Sequence, residues 1–424
     1  MDTFVINGGT QLKGELRVNG AKNHALKLIP AAFLTAEETI IQNVPNIEDV
    51  ARMLEIVEKI GGTVKHQDEH TVALTPPREF DGRLPEDLVP TLRASIVLLG
   101  PVLARYDAVR LPLPGGDNIG KRPINFFLDG FEALGATVKE EKETYVFTAP
   151  NGLQGATIVF PRITVTGTET LMMAATLATG TTILRNAACE PEIEALAEYL
   201  NSVGADISGG GTHTITINGT DRISGGTATV IPDRIEAGSF VLMAAATRSK
   251  LTITNCDPTH LEIPLALLNE MGIQTETTAE SIAITNIADT IQPLDLVTHE
   301  YPGFPTDLQA PMAVLLTQAT GESNVRETIY DGRLLYVDML NSMGTNIKMI
   351  DPYRATITGP TPLHGMNVAS PDIRAGIAMV IAGLLAEGTT TIDHIYQIDR
   401  GYETIEKRLQ SVGAQIKRVG QEYV

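Results

Sequence analysis

One short phrase recurs six times along the chain, and it constrains the fold more than any other feature. An apolar residue precedes a glycine, and a strand-like stretch follows: IGGTV at Gly61, LGATV at Gly135, VGADI at Gly204, MGIQT at Gly272, MGTNI at Gly344 and VGAQI at Gly413. Successive glycines are 74, 69, 68, 72 and 69 residues apart. Each sits where a helix end needs a left-handed residue, and the alternating residues after it read as a strand. Upstream of each glycine lies an Ala-rich apolar helix, a Gly-Thr type turn and a β-branched strand. The clearest copies are TLMMAATLATGTTILRN (170–186) and AMVIAGLLAEGTTTIDH (378–394); residues 241–255 and 312–327 carry weaker ones. A further strand and a polar loop come before the helix, as in ATIVFPRITVTGTE and TATVIPDRIEAG. The chain therefore reads as six β-α-β-α-β-β repeats of α/β (α+β) class. One such unit buries too little by itself, so several must associate around shared helices. The repeats alone allow one array of six or two groups of three.

Composition narrows the function classes. With 43% hydrophobic and 20% charged residues the chain is globular rather than disordered. Its longest apolar run, residues 375–386, is short of the ~18 residues of a membrane span, and its start does not read as a secretory leader. The formal charge of −19 argues against nucleic acid or an anionic membrane as partner. Cys189 and Cys256 are the only cysteines, and no Cys-x-x-Cys or His-Glu-x-x-His spacing occurs, which predicts a cytoplasmic protein with no disulfide framework and no metal site.

Charged residues gather at two places in the repeats. One lies just before the first helix: Lys22 with Asn23, Arg93, Arg162 with Thr164 and Thr166, Asp233 with Arg234 and Glu236, Asp307, and Asp372 with Arg374. The other lies after the following strand: Asp117 with Lys121 and Arg122, Glu190 with Glu192, Arg333, and Asp399 with Arg400. Helix N-termini suit anions, and an arginine there opposes the helix dipole unless something negative is held nearby. Surface ion pairs are the plain alternative for any single arginine. The same slots charged in all six units predict a binding site for an anionic ligand.

Several motifs make the chain similar to a known family. VNGAKNHALK (18–27), LRASIVLLGP (92–101), LPGGDNIGKRP (113–123), the turn at 305–307, ETIYDGR (327–333), DIRAG (372–376) and IDRGYE (398–403) resemble the UDP-N-acetylglucosamine 1-carboxyvinyltransferases of peptidoglycan synthesis, in order and spacing, from about residue 3 to 419. The related 5-enolpyruvylshikimate-3-phosphate synthases typically have Lys-Ser where this chain has Lys22 and Asn23, and lack the long loop at 113–123. The resemblance implies a two-domain inside-out α/β barrel, three repeats per domain, helices inside and sheets outside. It divides the chain into 22–231 and 1–21 plus 232–424, with the active site in the cleft between them.

The implied reaction moves the enolpyruvyl group of phosphoenolpyruvate to the 3′-hydroxyl of UDP-N-acetylglucosamine by addition and elimination, releasing phosphate, with no cofactor and no metal. The implied partners are these two small molecules alone, and the implied state is a monomer or weak homo-oligomer. Asp307 matches the base near the 3′-hydroxyl; its plainer role is a helix N-cap after the proline turn. Lys22, Arg122 and Arg400 match cations on phosphoenolpyruvate, Arg333 and Arg374 further arginines of that cluster, and Asn23 a contact to both substrates. Arg93, Arg122, Pro123, Ile124, Asn125, Phe126, Arg162, Ile163, Thr164, Val165 and Ile329 match contacts to the sugar nucleotide.

Four positions depart from the common pattern. Asp117 stands where the family usually has a cysteine acid, Asn125 where many members have Asp, and Asn46 and Glu48 where lysines occur. A free carboxyl with pKa about 3.9 is protonated about one part in a thousand at neutrality. Asp117 is therefore expected to gain its proton only in a closed, substrate-filled cleft, and the swap implies insensitivity to fosfomycin, which alkylates the thiol. The prolines and glycines around Asp117 predict a lid. A catalytically silent paralogue binding a nucleotide sugar is the competing class; the joint presence of Lys22, Arg122, Asp307 and Arg400 argues against it.

Overall fold

The computed structural model describes residues 2–115 and 124–420. They form two compact units, one of residues 20–115 and 124–231, the other of residues 2–19 and 232–420. Each has its own apolar core.

The repeat is visible in the strand register. In the 151–219 segment, strand Thr157–Val159 runs parallel to Thr181–Arg185, which pairs antiparallel with Thr214–Asn218, and Asp206–Ser208 closes the edge. Helix Val165–Thr176 connects the parallel strands and helix Pro191–Ser202 leads into the hairpin. This order returns in the sheets around Lys250–Thr254 and Gly321–Arg326. Among the described residues five sheets have four strands and one has three. In the three-stranded sheet a single parallel bridge from Arg83 to Arg110 takes the place of the missing strand. All six repeat glycines have positive φ, between 87° at Gly135 and 110° at Gly204, at the helix ends where the chain reverses into a strand.

Helix composition follows position. Every residue of Arg234–Ala246 and of Gln309–Leu316 is buried, as is Ile373–Leu385 except for its last residue. These three helices are apolar all round and form the centre of the 232–420 unit, each carrying a sheet whose other face is polar. In the other unit Lys22–Ala31 and Val165–Thr176 hold the same place, together with the 3₁₀ segment Arg93–Leu98 that runs into helix Leu99–Tyr106. Arg93, expected ahead of its helix, thus opens a 3₁₀ turn. The second helices are amphipathic: Glu48–Lys59 buries Asp49, Val50, Met53, Leu54, Ile56 and Val57 and exposes Ala51, Glu55, Glu58 and Lys59.

Lys13–Arg17 joins Lys250–Thr254, and Thr227–Thr229 joins Thr39–Gln42, each pairing with a distant stretch of its own unit, so the chain passes between units at residues 19–20 and 231–232. Strand Thr3–Asn7 lies between Thr389–Asp393 and Gln415–Val419, completing the last repeat from the first residues of the chain.

Candidate functional site

In the 20–231 unit the charged slots sit on the first turns of central helices. Lys22 is the first residue of Lys22–Ala31, and its Nζ lies 2.6 Å from Oδ2 of Asp49, with both side chains almost wholly buried. Asp49 stands in the first turn of Glu48–Lys59, where the helix dipole favours a carboxylate. One turn deeper, Lys27 Nζ donates to the Asn23 carbonyl at 2.9 Å and lies 3.0 Å from Glu169 on helix Val165–Thr176. Burial pushes the Glu169 carboxyl up to about 7; Lys27 pulls it back, and Glu192 and Glu190 add to the rise. His24 accepts a hydrogen bond at Nδ1 from the Ile231 amide at 3.1 Å, which assigns the ring proton to Nε2. Burial lowers its pKa to about 4, with Glu192 opposing and Lys27 assisting.

Of the described residues matched to sugar-nucleotide contacts, all but Ile329 fall at or beside element starts of this unit. Arg162 stacks over Phe126, its guanidinium carbon 4.9 Å from the ring centroid, joining two of them directly. Thr164 caps helix Val165–Thr176 by accepting from the Gly167 amide at 3.2 Å, and Ile163 and Val165 flank it. Ile124 and Asn125 begin helix Asn125–Ala133. Arg93 donates to the Pro114 carbonyl at 3.1 Å, just ahead of the expected lid. Gly115 tolerates no side chain, since a Cβ there would stand 1.6 Å from the Pro90 carbonyl oxygen. Asp117, Lys121, Arg122 and Pro123 lie outside the described residues.

In the other unit Asp307, Arg333 and Arg374 meet. Asp307 Oδ1 is paired with Arg333 Nη2, and its Oδ2 accepts from Arg374 Nη2 at 2.8 Å. The three come from the 3₁₀ turn Thr306–Leu308, the 3₁₀ turn Arg333–Tyr336 and the first turn of helix Ile373–Leu385. Asp307 caps no helix, contrary to its plainer expectation: the 3₁₀ turn starts from Pro305 without a side-chain cap, and both carboxylate oxygens face guanidinium groups. Burial disfavours charge on Arg333, yet Asp307 and then Asp372 raise its pKa above the ordinary value; Arg374 behaves likewise, with Asp307 the main counterweight. Arg374 Nη1 also donates to Tyr402 Oη at 3.4 Å, and that hydroxyl is 2.9 Å from Ser239 Oγ. Arg400 is buried and donates to Gln397 Oε1 at 2.8 Å on the turn before it.

Sequence reasoning missed the group that assembles this turn. Glu327 takes Thr306 Oγ1 at 2.9 Å and Gln309 Nε2 at 3.2 Å on one oxygen, and the amides of Ile329 and Tyr330 at 2.7 and 3.2 Å on the other. It thereby joins the Asp307 turn to the segment of Ile329 and Arg333. Its place at the head of ETIYDGR was the available signal. Asp49 was missed too: an acidic residue in the first turn of an amphipathic helix reads as a favourable dipole contact, and only the fold brings Lys22 to it.

A carboxylate facing two buried arginines suits proton transfer beside a bound anion. The model of the family EPSP synthase (3-phosphoshikimate 1-carboxyvinyltransferase) matches residues 6–409. A UDP-N-acetylglucosamine 1-carboxyvinyltransferase of Koribacter versatilis is 44% identical, over 99% of this chain and 97% of its own. One of Solibacter usitatus is 45% identical over 99% and 100%. Among solved structures, the enolpyruvyl transferase NikO from Streptomyces tendae superposes with a TM-score of 0.87 at 24% identity, covering 99% of both chains. EPSP synthase from Acinetobacter baumannii gives 0.75 at 18%, over 99% of this chain and 100% of its own; both likenesses bear on the fold. On the family match and on relatives this similar over nearly their whole length, the chain belongs to the EPSP synthase family of carboxyvinyltransferases, among its UDP-N-acetylglucosamine 1-carboxyvinyltransferase members.

Proposed function

We propose that this protein transfers the enolpyruvyl group of phosphoenolpyruvate to the 3′-hydroxyl of UDP-N-acetylglucosamine and releases phosphate. The observation that carries the reading is the Asp307–Arg333–Arg374 cluster, a base candidate and two anion-binding forks built from three separate turns. In the addition, the hydroxyl loses its proton to Asp307, its oxygen attacks C2 of phosphoenolpyruvate, and C3 gains a proton to become a methyl group. In the elimination, phosphate leaves C2 and the methyl group returns a proton, restoring the double bond.

The chain's own residues divide this work. Lys22, Arg122 and Arg400 hold the phosphate and carboxylate, and Arg333 and Arg374 complete the positive field. Both Asp307 oxygens are engaged by guanidinium groups, so a dianion that binds these arginines competes with Asp307 for them. Binding of phosphoenolpyruvate then loosens Asp307 at the moment when a base is needed. Asn23, Arg93, Arg162 with Phe126, Thr164 and Ile329 orient the sugar nucleotide, and Asp117 supplies the acid. The reading draws on both units.

Incubation with both substrates, followed by mass spectrometry of the sugar nucleotide and assay of free phosphate, tests it. The expected product carries one enolpyruvyl group in place of a hydrogen, with one phosphate released per product. Phosphate release with shikimate 3-phosphate but not with UDP-N-acetylglucosamine would redirect the assignment to the other branch of the family.

A further inference from the structure

Arg418 lies on the last strand, Gln415–Val419, outside every motif used above, yet each nitrogen of its guanidinium donates a hydrogen bond to a carboxylate. Its Nη1 and Nη2 donate to the two oxygens of Asp399 at 2.9 and 2.6 Å, a fork-to-fork pair. Its Nε donates to Glu406 Oε1 at 3.1 Å, and the guanidinium carbon sits 5.0 Å from the Phe4 ring centroid. Hydrogen bonding to Asp399 is the first cause that raises its pKa above the ordinary value, against a lowering by burial.

Asp399 immediately precedes Arg400 and ends the single-turn helix Tyr396–Asp399. Four residues are far too few for a helix to hold itself by cooperative hydrogen bonding, so tertiary anchors orient it. The structure provides two. Ile398 is fully buried against the core, and Asp399 is clamped by Arg418. The Arg400 guanidinium in turn bonds Gln397 of the same turn, so the direction of the turn is the direction of that guanidinium.

We propose that Arg418 is a positioning residue for phosphoenolpyruvate: its bidentate grip on Asp399 aims Arg400. This rests on the reading of Arg400 as a phosphoenolpyruvate ligand. A guanidinium free to swing still binds an anion, with a lost preorganisation that shows in the affinity for one substrate only.

The test compares KM for phosphoenolpyruvate with KM for UDP-N-acetylglucosamine in Arg418→Ala, Arg418→Lys, Asp399→Asn, Arg400→Ala and the Arg418→Ala/Arg400→Ala pair. Arg418→Ala should raise KM for phosphoenolpyruvate about tenfold, below the ~100-fold that misplacement of a catalytic group by an ångström produces. KM for the sugar nucleotide should stay unchanged. Lysine should not rescue, because it offers a point charge instead of a fork, and the pair should be no worse than Arg400→Ala alone. Asp399→Asn, which keeps the size of the side chain, should reproduce Arg418→Ala and covers the case in which that variant does not fold. Equal rises in both KM values, full rescue by lysine, or additive losses in the pair would overturn the inference while leaving Arg400 as a ligand. An unchanged KM for phosphoenolpyruvate in Arg400→Ala would remove the underlying reading, and the inference with it.

Discussion

Replacing His24 with asparagine should remove a pH dependence of stability that a single imidazole imposes. The ring is buried at the first turn of a central helix, and its pKa is lowered from 6.5 to about 4, mainly by burial. Between those two values an unfolded chain carries a proton on this residue that the native protein refuses. Stability is therefore fully present above about pH 6.5 and is lost as pH falls towards about 4. The difference of 2.5 units, at about 1.36 kcal/mol each, sets a ceiling of about 3 kcal/mol for the loss. Asparagine suits the test because its Oδ1 can accept the hydrogen bond that the Ile231 amide gives to Nδ1, and it does not titrate. Urea unfolding of both proteins from pH 7.5 to 4 gives a difference curve in which other titrations cancel. That curve should change by up to about 3 kcal/mol, the native protein losing relative to the variant as pH falls. An NMR titration of carbon-13-labelled imidazoles, with His24 assigned by its absence in the variant, should show no midpoint for it above pH 5. Parallel stability curves, or a His24 midpoint near 6.5, would refute the reasoning.

Asp307→Asn should leave substrate binding measurable and lower kcat by about 10²–10⁴, read from phosphate release, as loss of a general base does. Lys27→Met leaves Glu169 buried without its ammonium partner and should destabilise the protein by about 3–5 kcal/mol, whereas Lys27→Met with Glu169→Leu should recover most of that loss in urea unfolding. Asp117→Cys should move the pH–rate profile to higher pH and make the enzyme a target for fosfomycin labelling, detected as a covalent adduct by mass spectrometry. Thr164→Ala should cost about 1 kcal/mol in the same unfolding assay through loss of the cap on Gly167.

Much of this protein is legible along the chain because its information is local. A left-handed residue at each helix end has to be glycine or nearly so, which is why Gly61, Gly135, Gly204, Gly272, Gly344 and Gly413 mark the six repeats in the sequence and carry positive φ in the structure. Helices apolar on every side, such as 234–246 and 373–385, announce that they are buried. The acidic residues before those helices act locally as well: Asp233 and Asp372 each accept from two amides of the helix turn that follows.

Partner choice was decided in three dimensions. Nothing in residues 305–307 says that both oxygens of Asp307 face Arg333 and Arg374, 26 and 67 positions away, rather than the backbone of its own turn. Glu327 gathers the amides of Ile329 and Tyr330 and the side chains of Thr306 and Gln309, and Arg418 holds Asp399, yet nothing in the residues beside either one names those partners. The pairing of Lys13–Arg17 with Lys250–Thr254, and of Thr227–Thr229 with Thr39–Gln42, likewise depends on which edges meet. Helix ends and apolar faces are written in neighbouring residues, whereas the partner of a charge depends on which turns the folded chain brings within about 3 Å of it.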